Sequence, residues 1–244
     1  KIYIGFTFIE IFLLGTLGGM SLFDSVNHGF TTMATGGFST RDASIGYYDS
    51  LKVESIIIIF MFIGGINFTL IWFLLAREYV KAFKDEEFKT YLVYIFVAVA
   101  IMMVALVTAN VDLGDSFRQS LFQTISIGTS TGYTTQDYMT WPAVTQFILM
   151  ILMIVGACAG STSGGLKLMR IILAFKVAMR ELVRIAQPRK IKQIRMNGGV
   201  VEPQQIDKIV GMLFVWIGLF GISSILLSIL MYNESFLSLI HISE

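Results

Sequence analysis

The chain has 244 residues, 55% of them hydrophobic and 14% charged, with a mean hydropathy of +0.73 and a net charge of +1. These values lie well outside those of an ordinary soluble domain and place the chain in a bilayer. The single Cys158 excludes an internal disulfide and a four-cysteine metal site, His28 and His241 are too far apart in sequence for a histidine-based one, and no paired acid and base or activated nucleophile points to an enzyme.

There is no initiator Met and no charged, apolar and small-residue succession of a signal peptide. The chain is therefore expected to begin inside a longer protein, and the closing "LSLIHISE" is expected to be a truncation as well. Apolar windows of about 20 residues, the length that crosses about 30 Å of hydrocarbon, predict spans over 2–20, 52–77, 90–109, 141–186 and 205–231. The first span carries Glu10, an ionisable group at membrane depth and hence a functional candidate, although a packing or interfacial role is the plainer reading.

"SLFDSVNHGFTTM" (21–33) and "SFRQSLFQTISIG" (116–128) are each too short to span but long enough for a half-membrane helix. His28, on the first, reads as the maker of a local hydrogen bond. Each short helix leads into a glycine-centred passage: "ATGGFSTRD" (34–42) after the first and "TSTGYTTQD" (129–137) after the second. With a shift of 95 residues, Ser21 matches Ser116, Ser25 matches Ser120, Gly37 matches Gly132, Thr40 matches Thr135 and Asp42 matches Asp137, while Phe38 faces Tyr133. The order of elements repeats with these identities. The sequence predicts an all-α polytopic membrane protein built from a unit of span, short helix, loop and span, with units at 1–86 and 87–196 and the first span of a further unit at 197–244.

The connections after the second and fourth spans carry Arg77, Lys81, Lys84 and Lys89, and Arg180, Arg184, Arg189, Lys190, Lys192 and Arg195. The positive-inside rule makes both cytoplasmic and sends the two glycine loops outward, so the units share one orientation. Nine of the eighteen Lys and Arg residues fall between Lys167 and Arg195. That basic stretch reads as a solvated face, a surface for anionic lipid or a docking site for a partner protein; nothing calls for nucleic acid.

Non-helical backbone at membrane depth must be buried in protein or line a watery path. Gly36, Gly37 and Gly132 permit positive φ, which lets successive carbonyls point to one side, and carbonyls aimed at an axis can replace the shell of a dehydrated monovalent cation. The hydroxyls of Thr35, Thr129, Ser130 and Thr131 can add ligands or hold the loop. Phe38 and Tyr133 read as a wall behind the loop or as interfacial aromatics; Asp42 and Asp137 read as mouth charges or as turn caps. Within the fourth span, ten small residues from Gly156 to Gly165 support two readings: a GxxxG ladder on an intact helix, or an unwound segment beneath the loops.

The succession "HGFTTMATGGFSTRDASIGYYDS", "SIGTSTGYTTQDYMTWP" and "GACAGSTSGGLK" resembles the Trk/Ktr/HKT superfamily of potassium transport proteins over nearly the whole chain. The resemblance implies four repeats around a pseudo-fourfold pore in one polypeptide, of which this chain holds the second, the third and the start of the fourth, about half the channel. It implies a K+ filter at Ala34, Thr35, Gly36 and Gly37 and at Thr129, Ser130, Thr131 and Gly132. It also makes Gly156, Gly160, Ser161, Thr162, Ser163, Gly164 and Gly165 an intramembrane loop that occludes the pore from below. K+ is then the transported ion, with no other cofactor, in a multi-pass protein of the bacterial inner membrane. The resemblance further implies a cytosolic nucleotide-binding regulatory subunit and a homodimer of the full-length protein. An H+- or Na+-coupled symporter is the alternative.

Overall fold

The structure, a computed structural model, describes residues 1–187 and 193–230. Arg189, Lys190 and Lys192 of the basic stretch, and residues 231–244 of the last predicted unit, lie outside the described residues. The chain forms two compact units, residues 1–169 and 170–244.

In the first unit, α1 (Ile2–Thr16), α2 (Leu22–Met33) and α3 (Leu51–Gly64) pack on one another, as do α6 (Glu86–Thr108), α7 (Leu113–Gly128) and α8 (Ala143–Val155). α2 and α7 are thus each cradled by the two helices that flank them in this order. Their starts are set by side-chain caps: Ser21 Oγ accepts the Asp24 N–H at 3.0 Å, and Asp112 Oδ2 accepts the Gly114 N–H at 2.9 Å. Because Asp112 rather than Ser116 is the cap, α7 begins earlier than its sequence twin. Ala98 and Met102 of α6, Ile127 of α7, and Leu149 and Leu152 of α8 form the apolar core of the second cradle.

The predicted span over 52–77 is broken. It is α3 followed by α4 (Phe68–Leu75), bent by 108°. The freed carbonyls find partners elsewhere: Gly64 O accepts the Thr162 N–H (3.2 Å) and hydroxyl (3.1 Å), and Gly65 O accepts the Cys158 N–H (3.1 Å). In return the Phe68 N–H donates to Gly160 O at 3.1 Å. A break at membrane depth is tolerated when its polar groups are re-satisfied by protein in this way. A second break follows, since α8 ends at Val155 and α9 (Leu168–Ala186) starts at Leu168. The ladder on an intact helix is therefore not what forms: Gly156, Gly160 and Gly165 stand at φ of +70°, +73° and +74°. A short α5 (Tyr79–Lys84) precedes α6, which is long and apolar enough to cross a membrane by itself.

In the second unit, β1 (Arg195–Met196) and β2 (Gly199–Val200) form a hairpin around Asn197 and Gly198, both at positive φ, the signature of a tight primed turn. α10 (Pro203–Leu230) is the other described helix long and apolar enough to span.

Arg118 of α7 grips Glu54 of α3 through two bonds of 2.7 Å, and touches the exposed Asp49 at 3.1 Å. The Glu54 side chain is 3% exposed. Removing Arg118 strands a buried carboxylate, which costs about 3 kcal/mol, whereas the contact with Asp49 adds little. Arg118→Ala is therefore expected to lower the melting temperature of the purified protein, and Arg118→Ala/Glu54→Ala to restore part of the loss; a double variant no more stable than the single one would contradict this.

Candidate ion-binding site

Each short helix ends by turning its last amides back on itself. The Gly36 and Gly37 N–H groups both donate to Thr31 O (2.7 and 3.4 Å), and the Thr131 and Gly132 N–H groups both donate to Ser126 O (2.8 and 3.3 Å). In a trans peptide the carbonyl opposes the N–H. The carbonyls of Thr35 and Gly36, and of Ser130 and Thr131, are therefore directed away from their helices. None of them accepts a hydrogen bond among the described residues.

The dihedrals that achieve this sit at matched positions 95 apart: Thr35 and Gly37 at φ of +52° and +64°, Ser130 and Gly132 at +56° and +89°. Gly36, which the sequence marks as a left-handed position, is not one; the left-handed residue is Thr35, and its twin is Ser130. A non-glycine there costs about 1–2 kcal/mol, which the surrounding bonds offset. The Thr35 hydroxyl donates within reach of Thr162 O (3.0 Å) and Ala34 O (2.7 Å), and the Thr129 hydroxyl is tied to Ile125 O (2.7 Å) and Thr131 Oγ1 (2.8 Å). These hydroxyls hold the loops. Ser130 Oγ is buried and has no hydrogen-bond partner among the described residues.

Two residues that sequence reasoning passed over fasten the far ends of the loops. The Thr31 hydroxyl donates to Phe38 O at 2.9 Å and the Ser126 hydroxyl to Tyr133 O at 2.6 Å. They are twins at a shift of 95 and both carry a hydroxyl, a signal present in the sequence but hidden by the Thr/Ser difference. The Thr31 hydroxyl also lies 2.9 Å from Asn27 O and shares a 2.6 Å hydrogen bond with the Tyr133 hydroxyl. Tyr133 is fully buried against α2, with its ring 5.8 Å from His28. Phe38, its twin, is 71% exposed; the wall behind the loop is built by Tyr133 alone among these two.

His28 makes the local bonds expected of it, Nδ1 to Asp24 O (2.7 Å) and Nε2 to Ser39 Oγ (3.0 Å). Asp24 accepts from the Thr40 hydroxyl (2.6 Å) and from Arg41 (3.0 Å). These bonds tie the first loop to the start of α2. Asp137 Oδ1 accepts the Met139 N–H at 3.0 Å and caps a turn, while Asp42 is exposed. Glu10 is fully buried in α1 beside Thr32 of α2.

The segment Gly156 to Gly165 lies against both loops. Thr162 O is the acceptor for Thr35, and Gly164 lies against the Ser130 side chain, whose Cβ and Oγ are 3.5 Å from where a Cβ on Gly164 would stand. Positions 35 and 130, matched by the repeat, are thus both met by this one segment. The two loops also meet each other. A Cβ on Gly37 would stand 1.8 Å from Thr131 O, and Gly46 N–H donates to Thr134 O at 3.1 Å.

Paired loops that each leave a row of unbonded carbonyls are what a helical membrane protein of the ion-transport class would present, and comparison with known proteins narrows this. A family model described as the TrkH cation transport protein matches residues 2–240, and the chain belongs to that family. It is 37% identical over 203 residues to the Trk system potassium uptake protein TrkH of Vibrio parahaemolyticus, covering 80% of this chain and 41% of that protein. It is 32% identical over 207 residues to the Trk system potassium uptake protein TrkG of Escherichia coli, covering 82% of this chain and 42% of that one. The crystal structure of the potassium transporter TrkH from Vibrio parahaemolyticus superposes with a TM-score of 0.87 at 35% identity, covering 93% of this chain and 49% of that chain. The chain thus spans less than half the length of these relatives.

Gly37 is fixed twice, by its φ of +64° and by the 1.8 Å approach to Thr131 O. Gly37→Ala cannot be absorbed by a side-chain shift, because both partners are backbone. It is expected to separate the two loops and abolish cation flux in reconstituted vesicles; wild-type flux would show that the loops do not meet this closely.

Proposed function

We propose that this chain carries half of a potassium-conducting pathway across a bacterial inner membrane, with the carbonyls of Ala34, Thr35, Gly36 and Gly37 and of Thr129, Ser130, Thr131 and Gly132 as its share of the ion ligands. The observation that carries this is the matched dihedral pattern at 35, 37, 130 and 132, which leaves unbonded carbonyls on one side of each loop. Neutral oxygens suit a monovalent ion: they replace its hydration shell without the charge that calcium sites need. The buried Ser130 hydroxyl adds a ligand at the inner end. The relatives' names give the ion as potassium.

The repeats are 1–86 and 87–196, with 197–244 opening a further one, and the ring is completed by sequence beyond this half. Tyr133 packs on the short helix of the repeat before it. The same operator, applied to Phe38, calls for another short helix against its exposed face. The segment Gly156 to Gly165, holding Ser161, Thr162 and Ser163, is the gate: it meets both loops at their inner ends, where an ion would leave. The complete protein works as a homodimer in membrane lipid with a cytosolic nucleotide-binding subunit, for which the basic stretch beyond Lys167 supplies a cytoplasmic docking face.

Three measurements test this in the complete protein reconstituted into vesicles. Gly132→Ser is expected to lower potassium over sodium selectivity about tenfold, the effect of losing roughly 1.4 kcal/mol of discrimination; unchanged selectivity would remove these carbonyls from the ion path. Currents should reverse at the potassium equilibrium potential, and a reversal that moves with a proton or sodium gradient would identify a coupled symporter instead. Deleting Ser161 to Ser163 is expected to raise resting flux with selectivity preserved, and unaltered flux would disqualify the segment as gate.

A further inference from the structure

The contacts that seat the Gly156 to Gly165 segment on the α3–α4 break are made to backbone carbonyls and amides. A different contact ties it to the helix that follows it. Glu87, buried in the first turn of α6, directs one carboxylate oxygen, Oε1, at the Ala159 N–H (2.6 Å) and at the Met169 N–H (3.0 Å). Ala159 is inside the segment; Met169 is in the first turn of α9, directly after it. The first amides of a helix have no partner within it and carry its positive dipole end. Glu87 is therefore a cap for α9 supplied by another helix, and the same atom holds the loop.

The charge matters as well as the geometry. A carboxylate receiving amide N–H groups forms bonds roughly twice as strong as neutral ones, and α6 is an unbroken span that gives the carboxylate a fixed base. The other charges near it are Asp85 on the turn before α6 and Lys167, whose Nζ donates to Ser163 O and to Ser163 Oγ. Lys167 thereby fastens the last part of the segment to itself, while Glu87 fastens the segment to the scaffold.

We propose that Glu87 is a positioning residue for the intramembrane segment: its carboxylate holds the loop in place beneath the filter loops, and releasing it frees the passage. This rests on the reading of Gly156 to Gly165 as the gate. A displaced loop must give up the Ala159 bond, whereas the Met169 bond can stay with α9.

The test uses the complete protein in vesicles, with rubidium influx as probe. Glu87→Gln keeps the shape and a weaker acceptor. It is expected to raise resting influx roughly tenfold, the factor that follows when the closed state loses about one charge-assisted bond, without changing potassium over sodium selectivity. Amide exchange followed by mass spectrometry should quicken in peptides containing Ala159 and Met169 and stay unchanged in those from α7, a readout that survives even where a variant is poorly active. In the background lacking Ser161 to Ser163, Glu87→Gln should add nothing. If the deletion raises influx while Glu87→Gln alters neither influx nor exchange, the gate stands and the role of Glu87 falls. If Glu87→Gln raises influx equally in the deleted background, it acts elsewhere and the proposal is overturned; if the deletion itself changes nothing, the gate reading fails and takes the proposal with it.

Discussion

Backbone that leaves a helix at membrane depth must find partners for its own amides and carbonyls, because hydrocarbon offers none. The architecture of the first unit follows from how that demand is met. At the ends of α2 and α7, one carbonyl in each helix, Thr31 O and Ser126 O, accepts two successive amides, so the opposite carbonyls accept no hydrogen bond among the described residues. At the break between α3 and α4, the released carbonyls of Gly64 and Gly65 are taken by amides of the segment between α8 and α9. One irregular stretch satisfies another, and an irregular stretch with nothing beneath it would be far less stable.

The two repeats share this backbone device but differ in what surrounds it. Thr31 and Ser126 do the same job with different hydroxyls. Thr35 and Ser130 share a left-handed φ, yet the hydroxyl of one is bound to Thr162 O and that of the other has no partner among the described residues. The surrounding braces belong to one repeat or to the seam: Asp24 with Thr40 and Arg41 ties down the first loop, and Arg118 with Glu54 joins the second short helix to the first repeat. Symmetry is kept in the loop backbone and in the Thr31 and Ser126 hydroxyls that fasten it, and is lost in the surrounding braces.

Much of the helical order is legible in sequence, because windows of apolar residues and a repeat at 95 positions survive without any knowledge of packing. The short helices, Gly37 and Gly132 fall in this class, as does the interruption between α8 and α9, where ten small residues leave little to sustain a helix. The left-handed Thr35 and Ser130 do not, since their conformation is imposed by bonds to other elements and a threonine or serine carries no local sign of it. The break after Gly64 is equally silent. "FMFIGGINFTL" reads as continuous apolar span, and its discontinuity is stabilised by a segment nearly a hundred residues away. Glu87 looks like an ordinary acidic residue in a helix's first turn until Ala159 and Met169 are brought to it. The Asn197–Gly198 hairpin was available locally, as an Asn-Gly pair is a strong turn signal.

The long interruption occurs in one repeat only; the corresponding place in the other is a bend of a few residues. A pore with four equivalent inner helices has to move them together, and its opening is accordingly steep. The gate proposed above is a single segment seated in its neighbour's bend, so one local rearrangement would open it. Its closure would then be graded by the stability of one peptide segment rather than by agreement among repeats.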